Sequence, residues 1–78
     1  MKKIKVLGPG CAKCKKLSEN VQEALKETGL DAAFEYITDI NKIIAAGIMM
    51  TPGLIIDDKV ISTGKVHNIK ELKVLLTS

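Results

Sequence analysis

The sequence predicts an α/β fold with element order β-α-β-α-β-β-α, a mixed four-stranded sheet flanked by helices. Three features carry this reading. A short apolar run is followed by a long stretch of helical spacing. Two β-rich runs in the second half flank a tight polar turn. The chain closes on a helical stripe introduced by Asn-x-x-Glu.

Residues 3–7 read as a buried strand ended by Gly8-Pro9-Gly10. The helix expected over 12–28 places Cys14, Leu17, Val21, Ala24 and Leu25 on one stripe. Lys15, Lys16, Glu19, Glu23, Lys26 and Glu27 lie opposite, and Gly29 stops it. A second strand fits 32–38. Asp39 is a good N-cap for a short helix carrying Ile40, Ile43 and Ile44 and stopped at Gly47. The runs 53–57 and 60–64 form a hairpin around Asp57-Asp58-Lys59. Asn68 and Glu71 make a capping box for the last helix, with Ile69, Leu72, Leu75 and Leu76 on one side. The first β-α-β unit must be parallel and right-handed, and the hairpin antiparallel.

At 78 residues, 46% of them hydrophobic, the chain is expected to form a single domain over 1–78. Phe34 and Tyr36 are its only aromatic residues, so aliphatic side chains must build the core. The twelve lysines, with no arginine, are interleaved with nine acids, giving a net charge of +3. Nucleic-acid surfaces concentrate basic and stacking groups, so nucleic acid is not an expected partner. A mildly cationic surface still biases encounters toward acidic partners. Lys5 interrupts the apolar N-terminal run, so neither a leader peptide nor a membrane span is read from it. A cytoplasmic, monomeric protein is expected. In such a reducing compartment two close cysteines point to redox or metal chemistry rather than a permanent staple.

Cys11-Ala12-Lys13-Cys14 stands where the first strand turns into the first helix. Residues three apart on one helical turn are neighbours, within reach of disulfide geometry. Cys14 belongs to the apolar stripe and is expected to be covered, whereas Cys11 stands beside a glycine-rich loop and is expected to be accessible. Unpaired N–H groups and the positive helix end stabilise a thiolate at Cys11 by up to ~2 kcal/mol. Lys13 adds a smaller effect in the same direction. Burial opposes ionisation at Cys14. Cys11 is therefore the expected attacking thiolate and Cys14 the resolving thiol in dithiol–disulfide exchange with a disulfide-containing protein or small molecule. The oxidised pair would be recharged by a dithiol donor or reductase. No cofactor beyond the Cys11–Cys14 disulfide is expected.

A closed zinc site usually needs four ligands, and only His67 remains as a typical nitrogen donor. No metal site is therefore expected. The competing reading is a soft-metal carrier using the same two thiolates. Heavy-metal-associated domains also place Cys-x-x-Cys before their first helix. They run β-α-β-β-α-β, however, and the helical spacing from Ile69 to Leu76 argues against that order. A third reading is a scaffold domain whose disulfide senses redox state. Met49 and Met50 fit either a flexible apolar partner surface or ordinary packing. His67 precedes the N-cap and is expected to be an exposed loop residue. Gly8-Pro9-Gly10 serves to turn the backbone rather than to cradle phosphate.

Pro52 cannot donate to a sheet ladder and should begin the third strand. Thr51-Pro52 at that place, with Cys-x-x-Cys after the first strand, resembles the thioredoxin superfamily. The chain is most similar to small thioredoxin-like redox-active disulfide proteins of prokaryotes. The resemblance rests on 8–14, Met50-Thr51-Pro52 and the hairpin 54–66. It implies a thioredoxin-like fold, a cis bond at Pro52 beside the disulfide, and substrate contact at Thr51 and Pro52. The chain differs from thioredoxin proper in having Gly10 rather than Trp before Cys11, Ala12-Lys13 between the cysteines, and no acid in the first strand. It also lacks the active-site Tyr and Gly-Gly turn of glutaredoxins.

Overall fold

The computed structural model describes residues 2–10 and 12–77. Its elements are β1 (Lys2–Leu7), α1 (Ala12–Thr28), β2 (Ala32–Ile37), α2 (Ile40–Ala45), β3 (Gly53–Ile56), β4 (Lys59–Thr63) and α3 (Ile69–Thr77). They form one four-stranded sheet in the order β2-β1-β3-β4. β1 pairs parallel with β2, Val6 opposite Tyr36, and antiparallel with β3, Val6 opposite Leu54. The expected element order and mixed sheet are both present.

Alternation along the two central strands divides the core. Ile4 and Val6 of β1, with Leu54 and Ile56 of β3, meet Leu17, Val21 and Ala24 of α1 and Leu72 and Leu76 of α3. The intervening Leu7 and Ile55 pack on the other face against Ile43 of α2 and Ile48. Helices α1 and α3 thus cover one face and α2 the other. Fully burying each of these aliphatic side chains contributes about 1.5–3 kcal/mol, and the half-buried Phe34 and Tyr36 pack against them. Of the expected α2 stripe only Ile43 is buried; Ile40 and Ile44 stay exposed. A six-residue helix rests on the sheet along one line, and the flanking positions face outward.

Local chemistry sets the boundaries. The Asp39 side chain accepts a 2.9 Å hydrogen bond from the Asn41 backbone N–H and caps α2. Asn68 Oδ1 accepts from the Glu71 N–H at 2.7 Å, while the Glu71 carboxylate accepts from the Asn68 N–H at 3.4 Å. The hairpin loop is shorter than the sequence suggests. Lys59 already pairs with Ile56, leaving Asp57 and Asp58 alone at the turn, with φ of 51° and 66°. Two successive left-handed residues match the twist of a two-residue hairpin, and Asp tolerates that region. Asp57 also accepts from the Lys3 N–H at 3.0 Å and lies 3.6 Å from Lys2 Nζ.

His67 is not an exposed loop residue; it is buried, with 6% of its surface accessible. Its Nε2 lies 2.7 Å from Ser62 Oγ of β4, and its carbonyl accepts a 2.9 Å hydrogen bond from buried Asn20 of α1. Nδ1 faces the Glu71 carboxylate at 3.6 Å. The histidine precedes the N-cap Asn68, the position from which a side chain folds back over the first helical turn. It ties β4, α1 and α3 together.

Two measurements check this framework. Asn20→Ala leaves the buried His67 carbonyl without its donor, and urea unfolding should show a loss of about 1–3 kcal/mol. The pKa values of Asp57 and Glu71 lie below the ordinary values of 3.8 and 4.5. Backbone N–H donors are the main cause, those of Lys3 and Asn68 respectively. Lowered folded-state values mean stability that is present above pH 4.5 and lost as pH falls through the folded pKa values. Thermal unfolding between pH 2 and pH 7 should show this decline, and Asp57→Asn with Glu71→Gln should flatten it.

Candidate active site

β1 ends at Leu7, and the Gly8 N–H still extends the parallel ladder by donating to the Ile37 carbonyl at 2.9 Å. The chain then turns through Pro9 and Gly10 into α1, which begins at Ala12. Because α1 buries one stripe against the sheet, Cys14 in its first turn points inward and is fully covered. That agrees with its place on the apolar stripe. Cys11, the other cysteine of the motif, lies outside the described residues. Lys13 is exposed on α1.

Cys14 packs against Gly8, with Thr51 close to the same glycine. A Cβ on Gly8 would overlap the Cys14 sulfur and come within 2.9 Å of Cys14 Cβ and 3.7 Å of Thr51 Cβ. Gly8 is therefore what lets the sulfur fit under the loop. The Thr51–Pro52 bond is cis, as the resemblance implies, and Pro52 is buried at the entrance to β3. The Pro52 carbonyl accepts a 2.9 Å hydrogen bond from the Gly64 N–H, fastening this loop to the end of β4. Gly53 has a steric role that the sequence did not disclose. A Cβ there would lie 2.8 Å from Cδ1 and Cγ2 of buried Ile48. The structure thus brings Cys14 and Thr51 together, with Pro52 adjoining.

Beside this loop a shallow apolar groove of about 420 Å³ runs from Pro9 and Thr51 to Ile40, Ile44 and Met49. Met49 and Met50 are exposed, so neither is a core residue. Spacing alone pointed at Ile40 and Ile44 as helix residues but not at their exposure, which depends on how α2 lies on the sheet. Among the described residues no group of three His, Cys, Asp or Glu side chains is placed to hold a metal ion. No helix among them is long and apolar enough to cross a membrane.

A sheet ordered β2-β1-β3-β4, helices on both faces, and a buried helix-start cysteine next to a cis-proline loop define a thioredoxin-like redox protein. The thioredoxin domain family matches residues 2–77. The chain is 42% identical over 77 residues to a thioredoxin of Methanothermobacter thermautotrophicus, covering 99% of this chain and all of that protein. It is 40% identical over 75 residues to a thioredoxin of Methanocaldococcus jannaschii, covering 96% of this chain and 86% of that one. The chain belongs to the thioredoxin family, and its chemistry is dithiol–disulfide oxidoreduction.

The two close-packed glycines offer a direct check on the site. Gly8→Ala must displace the Cys14 side chain, and Gly53→Ala must displace Ile48. Each should cost about 1–3 kcal/mol of stability by overpacking, read as a lower urea midpoint. Of the two, only Gly8→Ala should also change the reactivity of the Cys14 thiol in the reduced protein.

Proposed function

We propose that Cys11 is the attacking thiolate and Cys14 the resolving thiol of a thioredoxin-type exchange. The supporting observation is the complete burial of Cys14, packed against Gly8. A covered sulfur is a poor first nucleophile toward a bulky disulfide, whereas an attack from within the chain needs no access from solvent. The Cys11 thiolate attacks one sulfur of the client disulfide. The client S–S bond breaks, a Cys11–client disulfide forms, and the first client sulfur leaves as a thiolate. The Cys14 thiol then attacks Cys11 Sγ, its proton passing to the departing client thiolate, which closes Cys11–Cys14 and releases the reduced client. Two electrons pass to the client, and a dithiol donor or reductase returns two to the protein.

Thr51 and Pro52 contact the client backbone, Lys13 helps hold Cys11 ionised, and the groove along Ile40, Ile44 and Met49 receives apolar side chains flanking the client cysteine. The protein acts as a monomer in the cytoplasm on protein disulfides. In this reading Cys14→Ser accumulates a one-to-one mixed disulfide with an oxidised client, whereas Cys11→Ser forms none. Either change lowers turnover in insulin reduction by roughly 100-fold or more. Mixed-disulfide trapping through Cys14 in the Cys11→Ser variant, at the rate seen with Cys11, would reverse the assignment.

A further inference from the structure

The most exposed large apolar residues of the described chain include two consecutive methionines next to the cis-proline loop. Met49 has 94% of its surface accessible and Met50 has 64%. A thioether on so exposed a residue is open to oxidants in water. Neither residue sits at random. Met49 lines the groove that also includes Pro9 and Thr51. Met50 folds over the end of β4, where its Cε and Sδ would lie 3.2 Å and 3.7 Å from a Cβ on Gly64. The Gly64 N–H holds the Pro52 carbonyl, so Met50 lies next to a residue that fastens the cis-proline loop.

We infer that Met49 and Met50 form a peroxide-oxidisable site that lowers the affinity of this face for apolar client segments. The oxidant is a hydroperoxide. The thioether sulfur attacks the terminal peroxide oxygen, an S–O bond forms as the O–O bond breaks, and the proton passes to the departing oxygen. Sulfur loses two electrons and becomes a sulfoxide, and the peroxide is reduced to water or an alcohol. A sulfoxide is polar, and at Met49 it stands on the rim of a groove lined, apart from Thr51, by Pro9 and isoleucines, among them Ile40 and Ile44. A client that buries an apolar side chain there offers that oxygen no hydrogen bond in place of the water it removes. The consequence for clients rests on the proposed exchange reaction; the reactivity of the methionines does not.

The test uses the whole chain with its cysteines first closed as the disulfide, treated with hydrogen peroxide beside N-acetylmethionine amide in the same tube. Peptide mass mapping should show Met49 oxidised within ~2-fold of the free compound, and Met50 within several-fold. After the disulfide is reduced again, the oxidised protein should reduce insulin at least ~5-fold more slowly, with little change toward a small polar disulfide. The Met49→Leu/Met50→Leu variant, whatever its starting rate, should show no decline after peroxide. Oxidation more than ~10-fold slower than the free compound, or an unchanged ratio of insulin to small-disulfide rates, overturns the inference. Should the untreated protein reduce neither disulfide, it is the exchange reaction that fails, and the sulfoxide yields still decide whether the methionines are a modification site.

Discussion

Helix α1 can bury only one stripe of its surface, and Cys14 belongs to that stripe. The same packing that places Leu17, Val21 and Ala24 against Ile4, Val6 and Leu54 carries the sulfur out of water at the first helical turn. The site therefore depends on the core. Each turn of α1 that docks fixes the depth of Cys14, and Gly8 supplies the space that such depth requires. Removing water from one sulfur of a pair separates their roles without any further charged group. In the proposed exchange, Cys14 is the sulfur withdrawn from water and Cys11 the one that meets the client.

The cis-proline loop is held by equally ordinary means. Ile48 packs into the room left by Gly53 and anchors the segment between α2 and β3, and the Gly64 N–H fastens the Pro52 carbonyl from the other side. Behind that strap, His67 links Ser62 of β4 to Asn20 of α1 through its ring and its carbonyl. Thus both sides of the site, the redox helix and the proline loop, are tied to β4 and the segment that follows it. A small chain gains rigidity where it needs it by sharing a few buried polar contacts among several elements.

Much of this architecture is legible in local sequence. The α1 stripe, the Asp39 cap, the Asn68–Glu71 box and the hairpin follow from spacing and from side chains that bond their own backbone, interactions within a few residues. Cys14's burial was legible for the same reason. What was not legible involves partners far apart in the chain. Gly8 with Cys14, Gly53 with Ile48, and His67 with Ser62 and Asn20 are contacts fixed only once the sheet is assembled. His67 is the instructive case. A histidine before a polar N-cap looks solvated in one dimension, whereas in three it folds back beneath its own helix. The exposure of Ile40 and Ile44 has a similar origin, because a helix of one and a half turns meets the sheet along a single line. The family resemblance rested on short motifs, and the agreement of topology, cis bond and whole-chain relatives makes it secure.

The central claim is that one sulfur is covered while its neighbour is available, and thiol alkylation reads this most directly. The fully reduced native protein would be treated with a limiting amount of iodoacetamide across pH 5–9, and each cysteine quantified by peptide mass mapping. The account predicts rapid modification of Cys11 with a titration below that of a free thiol, and Cys14 modified only after unfolding in urea. Equal native reactivity of the two thiols, or faster labelling of Cys14, would contradict it.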